Sequence, residues 1–179
     1  MIDSFFRLLS SRAFWIAVAC TLILVFAYLF GYRWRPSIAV QFKQRAFLES
    51  LEDNSEDELA DLVSADYSDS WGLKKPKLTQ AFKDLRRHFL FLNFEASDIK
   101  VALDGDEARV SAIVKLSGRG SPIAEIIMDR ANRVEAPFVF VWRKEGGAPW
   151  KWRLVSVTNA DLPDLQGYRP GDGGLMDEF

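Results

Sequence analysis

Tyr67, Trp71 and His88 are the side chains of this sequence best suited to hold a small ligand or move a proton. His88 is the only histidine. An imidazole titrates near neutral pH and can act as a general acid or base, but only beside a group that positions it. Asp66, Asp69 and Asp98 are the carboxylates from which such a partner would come. No spacing assigns one of them, and each reads first as a solvated surface group. His88 therefore reads first as a histidine at the border of a helix's apolar stripe. Tyr67 and Trp71 stand four residues apart, a spacing that puts two side chains on one helical face. They read first as core aromatics, with the phenol reaching the rim.

Other chemistry is thinly represented. The single cysteine, Cys20, lies in an apolar run, and the His/Cys/carboxylate groupings of a metal centre are missing, so no metal or cofactor is expected. Phosphate-loop, dinucleotide-binding, zinc-protease and nucleophile-elbow patterns are absent as well. Lys74, Lys75 and Lys77, with Lys83, Arg86 and Arg87, form one basic cluster. It suits anionic headgroups or an acidic partner, against the plainer reading of a solvated helix face. The chain carries 23 Lys and Arg against 25 Asp and Glu. That balance argues against nucleic acid as a partner.

The elements that must position these residues fall into four segments. Residues 1–12 are a short tail. Residues 13–35 read as a membrane helix, because Ala13–Tyr32 is a run of twenty uncharged residues bracketed by Arg12 and Arg33. At about 1.5 Å per residue such a helix matches a hydrocarbon core of about 30 Å. Trp15, Tyr28, Tyr32 and Trp34 would form its interfacial belt. A signal peptide cleaved after this run, or a lipid on Cys20, fits less well, since the run is long and continues past the cysteine. Ala13, Ala17 and Thr21 repeat at four-residue spacing, a face that could pair two such helices. The lipid bilayer is thus one expected partner, with the following domain on its extracytoplasmic side.

Residues 36–162 read as one α+β domain. Helices are expected from Pro36, from an S-x-x-E capping box at Ser55–Glu58, and from Lys77. The last has an apolar stripe of Leu78, Ala81, Phe82, Leu85, Phe89 and Leu92. Strands follow. Ile99, Val101 and Leu103 alternate up to a turn at Asp104-Gly105-Asp106, and Val110 to Leu116 alternate after it. Phe138–Trp142 is apolar on both faces, as in a central strand. Trp150, Trp152 and Leu154 alternate in the closing strand, where the tryptophans, with Trp142, read as core. Ser121–Asp129 fits a short helix with proline at its first turn, or another strand. Residues 163–179 are rich in Gly, Pro and Asp and read as a disordered tail.

This order of elements resembles the nuclear-transport-factor-2-like superfamily. So do the passage Ala65-Asp-Tyr-Ser-Asp-Ser-Trp-Gly72 and the closing Trp150-Lys-Trp-Arg-Leu-Val-Ser-Val157. The resemblance implies a cone-shaped domain of about three helices packed on a curved antiparallel sheet. Some members of the superfamily hang from one N-terminal membrane helix, and many are not catalytic. A single-pass membrane protein displaying an interaction or assembly domain, with a protein partner or copies of itself, is the first functional expectation. The alternative is a membrane-tethered enzyme or small-ligand binder. In that case the resemblance places Tyr67, Trp71 and His88 at the cone's cavity. Tyr67 would donate to a ligand carbonyl and His88 would act as acid or base.

Overall fold

The computed structural model describes residues 12–33 and 35–162, and the side chains of residues 12–14, 17, 29, 30, 32 and 33 lie outside that description. The short N-terminal tail and the disordered tail expected at 163–179 also lie outside the described residues, save Arg12. The chain divides into two units, at residues 1–35 and 36–179.

The first unit contains helix α1, Arg12–Arg33. Most of its described side chains are exposed, with Trp15, Ile16, Leu24 and Phe26 between 60% and 71% exposed. Among the described residues no helix is long and apolar enough to cross a membrane. The described structure therefore does not support the anchor expected at Ala13–Tyr32.

In the second unit, α2 (Pro36–Glu52), α3 (Glu56–Leu62) and α4 (Lys75–Arg86) precede β1 (Phe89–Asp104) and β2 (Glu107–Gly120). Then come α5 (Pro122–Asn132), β3 (Phe138–Lys144) and β4 (Trp152–Thr158). The four strands form one antiparallel sheet in the order β1-β2-β3-β4. Gly105, at a φ of 57°, makes the tight turn between β1 and β2. Even-numbered positions of β2, from Ala108 to Val114, are buried on the inner face. Phe140, Trp142, Trp152, Leu154 and Val157 continue that face on β3 and β4.

Helix α2 lies against this face because Val40, Phe47, Leu48 and Leu51 recur at helical spacing, and all four are buried. The Phe47 ring meets Phe140 and Trp142 edge-on, with centroids 6.1 and 6.3 Å apart. Gln44, buried beside them, accepts the Trp142 indole N–H at 2.9 Å. Phe138–Trp142 is an interior strand, as its two apolar faces suggested.

Several elements differ from expectation. Strand β1 starts at Phe89, so Phe89 and Leu92 belong to the sheet rather than to the stripe of α4. The run Phe89-Leu-Phe-Leu-Asn-Phe94 is rich in strand-favouring aromatics, and it pairs with the far end of β2. Arg86 Nη1 donates to the Phe89 carbonyl at 2.6 Å where the helix gives way to the strand. Ser55 is the N-cap of α3, but its hydroxyl makes no capping bond. Ser121–Asp129 is helical. Ser121 caps α5, accepting from Ala124 N, and Pro122 occupies the first turn. This helix seats Ala124 against Phe89 and Leu92. The approach demands glycine at position 120, where a Cβ would stand 2.0 Å from the His88 carbonyl oxygen. Trp150 is 43% exposed, so only Trp142 and Trp152 of the three tryptophans are core.

Candidate functional site

A cavity of about 240 Å³ remains between the helices and the inner face of the sheet. Phe47, Leu48 and Leu51 of α2 wall it on one side, and Leu78, Ala81, Phe82 and Leu85 of α4 on another. The sheet contributes Phe94, Val114, Leu116, Phe138, Phe140 and Val157. The connection between α3 and α4 closes it with Tyr67, Asp69, Trp71 and Leu73.

That connection is built around one carboxylate. Asp69 Oδ1 accepts the backbone N–H groups of Trp71 at 3.0 Å and Leu73 at 2.8 Å, and Oδ2 accepts the Tyr67 hydroxyl at 3.1 Å. Gly72, at a φ of 76°, completes the turn. Tyr67 and Trp71 therefore meet the cavity from a turn, not from the shared helical face that their spacing suggested. An Asp side chain satisfying nearby backbone N–H groups competes with helix formation, which accounts for the difference.

The start of the connection is pinned to the sheet. Ser64 N donates to Leu154 O at 2.9 Å, and Ser68 N to Val155 O at 3.0 Å. The Ser64 hydroxyl donates to Glu145 at 2.6 Å, while Arg143 bridges Glu145 at 3.1 Å and Asp66 at 2.9 Å. The Ser64 hydrogen bond, helped by Arg143 and Arg153, holds the Glu145 carboxyl below the usual carboxylate range against the opposing effect of burial.

Burial acts in the other direction at the cavity wall. It pushes the Asp69 carboxyl above its ordinary range, against the hydrogen bonds from Leu73, Tyr67, Trp71 and its own backbone that favour the charged form. Burial, then the Asp69 charge and the hydrogen bond to it, raise the Tyr67 hydroxyl well beyond a free phenol. Tyr67 thus keeps its proton and donates it in a hydrogen bond to Asp69.

Of the three residues singled out from the sequence, the structure brings Tyr67 and Trp71 to the cavity and leaves His88 off its wall. His88 follows α4 in the turn into β1, and its side chain makes no hydrogen bond among the described residues. None of Asp66, Asp69 and Asp98 partners it. Asp66 pairs with Arg143, Asp98 sits at a β-bulge with a φ of 50°, and Asp69 is buried rather than solvated. Asp69 is the site residue that sequence reasoning passed over. Asp69-Ser70-Trp71-Gly72 carries a turn signal, though nothing local to it signals burial.

The basic cluster is dispersed into local contacts. Lys75 Nζ donates to the carbonyls of Ala60 and Val63 at the end of α3, at 2.6 and 2.9 Å. Lys83 pairs with Glu56 at 2.7 Å, Arg87 with Asp84 at 3.4 Å, and Arg86 holds the Phe89 carbonyl. Lys74 and Lys77 are exposed. Among the described residues no group of three or more His, Cys, Asp or Glu side chains could hold a metal ion. A larger hollow, about 670 Å³, lies between α2 and β1. Gln41, Arg45, Glu49 and Glu52 line it beside apolar groups. It lacks the apolar wall that recommends the inner cavity.

No protein-family model and no curated protein matches the chain. Solved structures do. The S. rosetta CaMKII hub is similar over 70% of this chain and 98% of its own, at 18% identity and a TM-score of 0.53. A provisionally named ketosteroid isomerase from Shewanella frigidimarina is similar over 68% of this chain and 94% of its own, at 14% identity and a TM-score of 0.51. Bd1075 of Bdellovibrio bacteriovorus is similar over 69% of this chain but only 40% of its own, at 8% identity and a TM-score of 0.53. At such identities the likeness shows the fold alone, an α+β arrangement of helices on an antiparallel sheet.

Proposed function

We propose that residues 36–162 form a domain that binds one small, largely apolar molecule in the inner cavity without transforming it. The observation that carries this reading is the cavity itself, left open between α2, α4 and the sheet where core side chains of ordinary size would have filled it. An engineered apolar cavity of about 150 Å³ takes a benzene ring, so about 240 Å³ suits a guest of one or two fused rings. Binding is favoured over proton chemistry because Tyr67 and Asp69 are already each other's partners, and His88 stands elsewhere. Titration of the full-length chain with 2-methylnaphthalene tests the reading. Saturable binding to wild type, abolished by Ala81→Phe in a protein that still melts cooperatively, supports it. Binding untouched by the filled cavity overturns it.

The likeness to the CaMKII hub favours a second reading, in which the domain also assembles with copies of itself. Light scattering on the purified chain separates a monomer from an assembly. We further propose that Arg12–Arg33 tethers the domain to a membrane, with the domain on the extracytoplasmic side. The support is the uncharged run of twenty residues in the sequence. Release of the chain from membranes by alkaline carbonate would sink the tether. Digestion of the domain by external protease only after the membrane is lysed would overturn the orientation.

A further inference from the structure

We propose that the free edge of β1 takes up an extended peptide of alternating apolar and basic residues, added to the sheet as a further strand beside α2. Backbone groups at a sheet edge are a template for another strand, and proteins ordinarily cover them. Two other stretches of this sheet's edge are covered. On β4, Leu154 O and Val155 O accept the N–H groups of Ser64 and Ser68 at 2.9 and 3.0 Å. Where β2 runs on past β3, the Asn132 amide accepts from Leu116 N and donates to Leu116 O, both at 2.8 Å. Between Leu92 and Ala96 of β1, the one such bond runs from Phe94 N to Glu52 Oε1 at 2.7 Å. Phe94 therefore turns its N–H and carbonyl away from β2, and by the two-residue period so do Leu92 and Ala96. The Phe94 carbonyl and both backbone groups of Leu92 and Ala96 have no partner among the described residues. Glu52 stands where the carbonyl of a neighbouring strand would.

This edge faces the hollow of about 670 Å³ between α2 and β1. Along the helix its lining runs from Ile38 to Glu52, about 21 Å. Along the strand it runs from Asn93 to Ile99, about 20 Å. A strand of about six residues has that length. Unlike the inner cavity, the hollow opens onto polar atoms as well as apolar ones. An added strand would present alternate side chains to two faces. One face lies on the side of Ile38, Leu48 and Phe94 and suits apolar residues. The other lies beside Glu95, which is exposed and makes no ion pair among the described residues. Its cross-strand neighbour Lys115 gives its ammonium to the Asn132 and Val134 carbonyls at 2.6 and 3.0 Å. Of the charged groups in the hollow, Arg45 is paired with Glu49 at 2.7 Å, which leaves Glu52 uncompensated. A second copy of this edge would bring its own Glu52 and Glu95 and add like charge, whereas Lys or Arg side chains complement both. Main-chain pairing would supply the affinity, and the alternation of side chains the specificity.

The test titrates the full-length chain in zwitterionic nanodiscs against a fluorescein-labelled hexapeptide of alternating lysine and valine, with empty nanodiscs as the blank. Anisotropy should show saturable binding. A twin peptide N-methylated at every backbone amide should bind about ten-fold more weakly or worse, since it cannot donate to the edge. A glutamate–valine hexapeptide should lose a similar factor. Ala96→Pro removes one outward N–H at a position where an edge strand tolerates proline. It should weaken the lysine–valine peptide by about ten-fold in a protein that still melts cooperatively. No saturable binding, or equal affinity for the N-methylated twin, would overturn strand addition, and both are read on wild type alone. Wild-type affinity in a folded Ala96→Pro protein would overturn it too. Equal affinity for the glutamate–valine peptide would overturn the basic character of the partner. A wild-type dimer by light scattering that Ala96→Pro reduces to a monomer would give the edge to a second copy and overturn the peptide assignment.

Discussion

Replacing Asp69 with alanine removes the acceptor around which the cavity's closing turn is built. Three donors lose their partner: the Leu73 N–H at 2.8 Å, the Trp71 N–H at 3.0 Å and the Tyr67 hydroxyl at 3.1 Å. Trp71 is half-exposed, so water can take over its N–H. Leu73 and Tyr67 are buried, and each orphaned donor there costs about 1–3 kcal/mol. Against this stands the relief of no longer burying a carboxylate, whose cost shows in the raised Asp69 pKa. The net expectation is a loss of roughly 2–4 kcal/mol. Asp69→Asn keeps an acceptor for the two N–H groups and should cost less than about 1 kcal/mol. Urea unfolding of the two variants beside wild type measures both. A change within about 0.5 kcal/mol for Asp69→Ala, the usual scale of an indifferent surface position, would refute the idea that this carboxylate organises the turn. The pH dependence has a definite sign. The folded Asp69 pKa lies above its unfolded value, so the folded state holds the proton more tightly. Wild type should therefore gain stability relative to Asp69→Asn as pH falls through the folded pKa, with the gain complete below about 3.9.

Glu145 should behave oppositely. Its folded pKa is lowered, so its contribution is present above an unfolded value of about 4.3 and is lost as pH falls through the folded pKa. Acid unfolding of Glu145→Gln beside wild type should show the two curves converging there. Trp152→Ala, at a side chain 2% exposed, should cost about 3–5 kcal/mol by urea unfolding. His88→Gln should stay within about 0.5 kcal/mol of wild type and leave the affinity for 2-methylnaphthalene unchanged.

Much of the fold could be read from local patterns because single elements bury single faces. The alternation on either side of Gly105 announced the β1–β2 hairpin, and the two-faced apolarity of Phe138–Trp142 announced an interior strand. Pro122 after Ser121 is chemically suited to opening a helix, and it does so in α5. The boundary between α4 and β1 was harder. Leu85, Phe89 and Leu92 satisfy a helical stripe, while Leu92, Phe94 and Ala96 satisfy an alternating strand. Which period applies is decided by pairing with residues 116–120 of β2, contacts more than twenty positions away in the chain.

The site was less legible than the fold, for a related reason. Tyr67 and Trp71 were visible as aromatics, but their geometry comes from Asp69, and its behaviour is set by burial. Among Asp66, Asp69 and Asp98 nothing in the local sequence marks one as buried. Asp66 faces solvent with Arg143, Asp98 occupies a bulge, and only Asp69 is enclosed, because the chain on both sides of it is pinned. Before it, Ser64 and Ser68 are tied to β4. After it, Lys75 returns to cap the end of α3 through the Ala60 and Val63 carbonyls. His88 illustrates the converse. Its position beside an apolar stripe made it look like a cavity residue as long as α4 was imagined to run on through Leu92. Once the helix stops at Arg86, the ring falls outside the enclosure, and the polar character of the cavity reduces to the tyrosine and the aspartate that bind each other.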